Sequence, residues 1–127
     1  MFLNLTNHPS SQWHRNQRAQ ASYWGEIIDL PFPSVDAQLD MWGICVLGDI
    51  LLREIVSLSP DAVLCQGEIT LCYYLVTRLH QSHITVLAAC SRRDSCEIIH
   101  EDGTSVKEAR FVFEQFREYH NPFTQPC

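Results

Sequence analysis

Met1-Phe2-Leu3-Asn4-Leu5-Thr6-Asn7-His8-Pro9-Ser10-Ser11 opens the chain as a short apolar run that breaks at once into a polar, helix-starting loop. A strand ending in such a loop is how α/β folds present groups to a ligand. Backbone N–H groups at a helix N-terminus are unpaired and carry partial positive charge. An anionic ligand is therefore the first expectation. A strand that begins at Met1 also leaves no room for a signal or transit peptide ahead of it, so a cytoplasmic protein is expected.

From this opening, strand and helix patterns alternate along the chain. A helix is predicted over Ser11–Tyr23, and Gly25 opens a second strand, Glu26–Leu30, which Pro31-Phe32-Pro33 stops. Ser34 or Asp36 is suited to cap a long helix reaching about Leu58, with Leu39, Trp42, Val46, Ile50 and Ile55 at helical spacing. Gly43 and Gly48 are the points where that helix is weakest. Ala62-Val63-Leu64-Cys65 is apolar without alternation and reads as a strand buried on both faces. Gln66-Gly67-Glu68 turns into a helix over Ile69–His80, and a fourth buried strand follows over Ile84–Ala89. Beyond it, Asp102-Gly103 is the strongest hairpin signal in the chain and joins Cys96–His100 to Val106–Phe113.

The expected fold is α/β: a Rossmann-like, parallel four-stranded sheet with helices on both faces, plus a C-terminal β-hairpin. A chain of 127 residues with 46% apolar content suits one domain with a real core. It divides into a βα core over 1–93, a hairpin over 94–119 and a tail over 120–127. No apolar run approaches the roughly 20 residues of a membrane span. The six cysteines form no CxxC pair, several lie in apolar segments, and reduced thiols are expected.

Net charge of −6 argues against broad binding to long nucleic acid, which needs a basic surface. The balance is uneven, because residues 1–25 hold Arg15 and Arg18 and no acid, leaving −8 for the remainder. A local anion site inside an acidic protein is therefore allowed.

Ligands of open parallel sheets bind beyond the carboxyl ends of the strands, where strand order reverses. With strand order 2-1-3-4, the loops after the first and third strands flank that crevice and bring His8, Ser10, Gln66, Gly67 and Thr70 together. Asn7 and Ser11 belong to the first loop, and Ser91 and Arg92 to the loop after the fourth strand. Each has a purely structural alternative. His8 before Pro9 is also a turn residue, Ser10 and Ser11 are also N-caps, and Gly67 also serves its turn. Glu68 at a helix start compensates the dipole and disfavours an anion nearby. His14, His80, His83, His100 and His120 lack metal-ligand spacing and read as surface residues. There is no P-loop, GxGxxG, GxSxG or zinc signature.

Five blocks carry a resemblance: Phe2–Trp13, Gly25–Pro33, Gln66-Gly67-Glu68, Val86–Arg92 and Phe113–Tyr119. Together they look like a family of small CRISPR-associated proteins. The strand-then-His-Pro opening is also similar to that of the small ring nucleases accompanying type III CRISPR systems. Those are Rossmann-like dimers that bind cyclic oligoadenylate and in many cases cut it. The resemblance implies a metal-independent ring nuclease acting on cyclic oligoadenylate, with cyclic tetra-adenylate as the expected ring, in which the ribose 2′-OH attacks its own phosphate to leave a 2′,3′-cyclic phosphate. In that role His8 would move a proton, while Ser10, Arg92 and the amides of the Pro9–Ser11 turn would stabilise the phosphorane. Asn7, Ser11, Gln66, Gly67, Thr70 and Ser91 would hold the ligand, and no metal or other cofactor is called for.

A homodimer is expected, both to span a symmetric ring and because Phe111, Phe113, Phe116, Tyr119 and Phe123 exceed what one small sheet needs. The alternatives are a non-catalytic sensor or sponge for the same nucleotide, and an interaction protein that pairs through its sheet edge and hairpin.

Overall fold

The computed structural model describes all 127 residues as an α/β protein with one five-stranded mixed sheet. In chain order the elements are β1 (Phe2–Leu5), α1 (Arg15–Ala21), β2 (Ile27–Asp29), α2 (Met41–Ser57), β3 (Ala62–Cys65), α3 (Ile69–Gln81), β4 (Thr85–Ile99) and β5 (Ser105–Glu118). Short 3-10 turns at Ser10–Gln12 and Ser22–Trp24 flank α1. The strand order is β2-β1-β3-β4-β5, with every neighbour pair parallel except the antiparallel β4–β5. Strand order reverses between β1 and β3, so the crevice expected from the sequence lies at their carboxyl ends.

Every residue of β1 and β3 is buried, as their unalternating apolar composition requires of central strands covered on both faces. On one face Leu3, Leu5, Val63, Cys65 and Val86 pack against Ile44, Leu51 and Ile55 of α2 and Leu71, Leu75 and Leu79 of α3. Side chains of this size each contribute about 1.5–3 kcal/mol when fully buried. On the other face Phe2, Leu64 and Leu87 meet Ala21 of α1, with Trp13, Trp24 and Phe116 closing the cluster. Phe2 lies 5.1 Å from the Phe116 ring and 5.7 Å from Trp24, centroid to centroid.

Several boundaries differ from those predicted. The first helix is shorter than Ser11–Tyr23 because Trp13 and His14 are extended, and His14 caps α1. α2 starts at Met41, where the Asp40 carboxylate accepts from the Gly43 N–H at 2.9 Å; Asp36 instead closes a local turn onto Gln38. α2 runs unbroken through both glycines. Gly48 is needed for packing, since a Cβ there would stand 2.4 Å from the Tyr74 ring of α3.

The largest correction concerns the hairpin. The expected C-terminal hairpin is present, but it grows out of the sheet and makes it five-stranded rather than four-stranded: β4 passes from the core through the polar stretch Ser91-Arg92-Arg93-Asp94-Ser95 to Ile99, paired with β5. Polar residues suit this stretch because the outer part of the β4–β5 ribbon is solvated on both faces. A bulge between Cys90 and Ser91 leaves Glu114 of β5 without a cross-strand partner, and its carbonyl accepts instead from Gln20 of α1 at 3.2 Å.

Candidate functional site

The loop after β1 is built from inside the sheet. Asn4, fully buried in β1, donates through its amide nitrogen to the His8 carbonyl and to the Asp29 carboxylate, both at 2.9 Å. Its amide oxygen accepts from the Thr6 hydroxyl at 2.8 Å, and that hydroxyl accepts from the His8 N–H at 3.0 Å. The Trp13 indole N–H adds a second donor to the His8 carbonyl at 3.0 Å. The His8 backbone is thus held at both its N–H and its carbonyl.

Beside this loop, a cleft of about 490 Å³ opens at the carboxyl ends of the parallel strands. Its floor is Leu64 of β3 and Ala89 of β4, with Thr6 and Gln66, the residues that directly follow β1 and β3. One wall is formed by His8, Gln12, Trp13, His14 and Gln17, and the other by Ser91, Phe111 and Phe113 of the hairpin. Its lining contains no Asp, Glu, Lys or Arg; it is made of aromatic rings, amides, imidazoles and hydroxyls.

Of the residues singled out in the sequence, the structure brings His8, Gln66 and Ser91 into this cleft. Ser10 lies elsewhere: its N–H and hydroxyl both donate to the Asp29 carboxylate at 3.1–3.2 Å, so the chain's own anion occupies the turn proposed for a ligand. Asn7 and Ser11 are exposed outside the cleft lining. Thr70 is engaged by Glu68, whose carboxylate accepts from the Thr70 and Leu71 N–H groups at 3.1 and 2.8 Å and from the Thr70 hydroxyl at 2.6 Å. The Thr70 hydroxyl, followed by those two amides, holds the Glu68 carboxyl below its usual range.

Gly67 answers to packing, because a Cβ there would fall 2.3 Å from the Phe32 ring. Arg92 sits on the ribbon, paired with Asp94 at 3.0 Å and with Glu114, and these partners, Asp94 first, raise its pKa.

His80 departs from its reading as a surface residue, whereas His14 is exposed as expected and takes a further role. His80 is buried at 4% exposure, and burial pushes its pKa down. His14 lines the cleft while its Nδ1 accepts from the Asn16 N–H at 3.2 Å as the N-cap of α1. The sequence carried no strong signal for this role, because histidine is not among the residues favoured at a helix N-cap. Asn4 was visible, as the one polar residue within an apolar strand.

Residues 1–117 match the Uncharacterized protein MJ1673 family. The chain belongs to that family. In this MJ1673 family member the matched segment contains the whole sheet except Glu118, and all of the cleft lining. No curated protein and no solved structure matches the chain. No helix is long and apolar enough to cross a membrane.

Proposed function

We propose that this protein binds a cyclic oligoadenylate in the cleft at the carboxyl ends of β1, β3 and β4, serving as a CRISPR-associated nucleotide-binding protein in antiviral defence. The parallel core is read here as Rossmann-like, with the crevice at its switch point as the binding site. The observation that carries the reading is the cleft's lining. Trp13, Phe111 and Phe113 offer ring surface to a base, while Gln12, Gln17, Gln66, His8 and His14 offer hydrogen bonds. Capture of the ring, as a sensor or sponge, is favoured over rapid turnover, because Ser10 and Arg92 are engaged with the chain's own carboxylates.

A second reading, metal-independent cleavage, rests on His8. Its backbone is fixed on both sides and it lines the cleft, where its imidazole would accept the proton of a ribose 2′-OH. Attack of that oxygen on the adjacent phosphorus, with departure of the 5′-oxygen as a hydroxyl that takes its proton from water, would leave a 2′,3′-cyclic phosphate.

A homodimer belongs to the same proposal, with its motive extended. Phe113 and Phe116 are used within the monomer while Phe111, Tyr119 and Phe123 stay exposed, and Trp42, Val46 and Ile50 of α2 and Ile69 and Tyr73 of α3 add a further exposed apolar face.

Calorimetric titration with cyclic tetra-adenylate and cyclic hexa-adenylate in EDTA, followed by chromatography of the nucleotide, tests both readings. Binding of a ring that is recovered intact supports capture, and failure to bind either ring refutes the proposal. If the ring is opened, His8→Ala lowers the single-turnover rate about 10²–10⁴-fold with little change in affinity.

A further inference from the structure

Gln66 and His14 stand in the same cleft, and each is a side chain able either to donate or to accept. In both cases a backbone N–H settles the matter. The Ala89 N–H donates to Gln66 at 3.2 Å, and only an oxygen can accept it, so the Gln66 amide nitrogen and its two hydrogens are left over. The Asn16 N–H donates to His14 Nδ1 at 3.2 Å, which requires an unprotonated Nδ1 and puts the neutral ring's hydrogen on Nε2. Trp13 Nε1–H is meanwhile spent on the His8 carbonyl, so that indole offers the cleft only its ring.

We propose that Gln66 and His14 form a neutral donor pair that binds the non-bridging oxygens of a phosphodiester, with the base against Trp13 and Phe111. The inference rests on the cyclic oligoadenylate reading and assigns the parts of that ligand to parts of the cleft. A phosphodiester presents acceptors and no donor, which matches two groups locked as donors. An adenine edge does not match in this way, since its Hoogsteen edge sets the N7 acceptor beside the N6 amino donor. Neutral donors also suit a cleft that has no Lys or Arg in its lining. Charge-assisted hydrogen bonds to the phosphate oxygens supply the attraction that a cation would otherwise give.

Gln66→Glu and His14→Asp test the pair while keeping its supports, because Glu still accepts from the Ala89 N–H and Asp still caps α1. Each replaces a donor by an anionic acceptor. Wild-type protein and both variants are titrated with three ligands: cyclic tetra-adenylate, the linear dinucleotide ApA, and ApA with an uncharged methylphosphonate linkage. Wild-type protein is expected to prefer ApA over its methylphosphonate analogue. Both variants are expected to lose about 10–100-fold in affinity for the phosphodiester ligands and to lose that preference.

Variants that keep wild-type affinity, or lose affinity for both forms of ApA equally, would overturn the donor pair. Wild-type protein that binds ApA with the expected preference but refuses the ring would overturn the cyclic reading and keep the pair. Binding of none of the three ligands would overturn both.

Discussion

Asn4→Ala removes the residue that ties the cleft loop to the sheet, and its cost follows from the partners it leaves behind. Three hydrogen bonds disappear, to the His8 carbonyl, the Asp29 carboxylate and the Thr6 hydroxyl. A neutral bond of this kind contributes about 0.5–1.5 kcal/mol, and a bond to a charged group up to about 3 kcal/mol. The partners limit the loss. Asp29 is exposed and regains water, the His8 carbonyl keeps Trp13, and only the Thr6 hydroxyl is left in a buried site, where His8 is its remaining neighbour.

The expected net loss is about 2–3 kcal/mol, a substantial share of the roughly 5–15 kcal/mol that stabilises a domain. In a chain of this length that corresponds to a fall in Tm of about 8–12 °C. Urea unfolding followed by tryptophan fluorescence should show a lower midpoint with an unchanged slope, because the surface exposed on unfolding is the same. Ligand affinity should fall as well, since the loop that carries His8 would lose its tie to the buried strand β1. A variant as stable as the parent chain would refute the claim that Asn4 organises the loop.

Two further outcomes are expected. Burial depresses the His80 pKa in the folded state, so between that value and the ordinary 6.5 the unfolded chain binds more protons. Stability should therefore be complete above about pH 6.5 and decline as pH falls below it; in chemical denaturation across that range, His80→Gln should flatten the decline, and an unchanged pH slope would contradict the assignment. If the exposed face of α2 and α3 is the dimer contact, light scattering should give twice the 14.6 kDa chain mass, and Trp42→Glu should return it to the monomer value while leaving the far-UV circular dichroism spectrum unchanged. A monomeric parent protein would exclude the dimer.

The third strand was readable because burial on both faces leaves a composition no amphipathic element shares, and β3 falls on Ala62–Cys65 as expected, while β1 starts one residue inside the Met1–Leu5 run. The turn at Asp102-Gly103 was readable because Gly103 takes a φ of +86° there, and Asp102 accepts from the Thr104 N–H at 2.9 Å. The outer ribbon was hidden, since Ser91–Ser95 has the composition of a loop and becomes strand only through its pairing with β5. Pairing between distant segments leaves no trace in local periodicity. The start of α2 was obscured by Ser34, Asp36 and Asp40, three residues capable of capping within one short stretch.

In the cleft, strand order alone was enough to bring His8 and Gln66 together. Ser10 and Thr70 could not be judged in the same way, because what decides their use is the carboxylate each meets, Asp29 from another strand and Glu68 from the preceding turn.

The two margins of the sheet carry different risks of self-association. β2 is only three residues long and is followed closely by Pro31, so it offers little backbone to another chain. β5 is fourteen residues long and forms the opposite margin, with a row of main-chain groups facing outward. An uncharged strand of that length would template stacking into fibres. Lys107, Glu108, Arg110, Glu114, Arg117 and Glu118 punctuate it with charge of both signs, and the bulge at Glu114 interrupts its straight run near the core. These charges let the chain carry a long ribbon over its cleft while keeping that ribbon from zipping onto copies of itself.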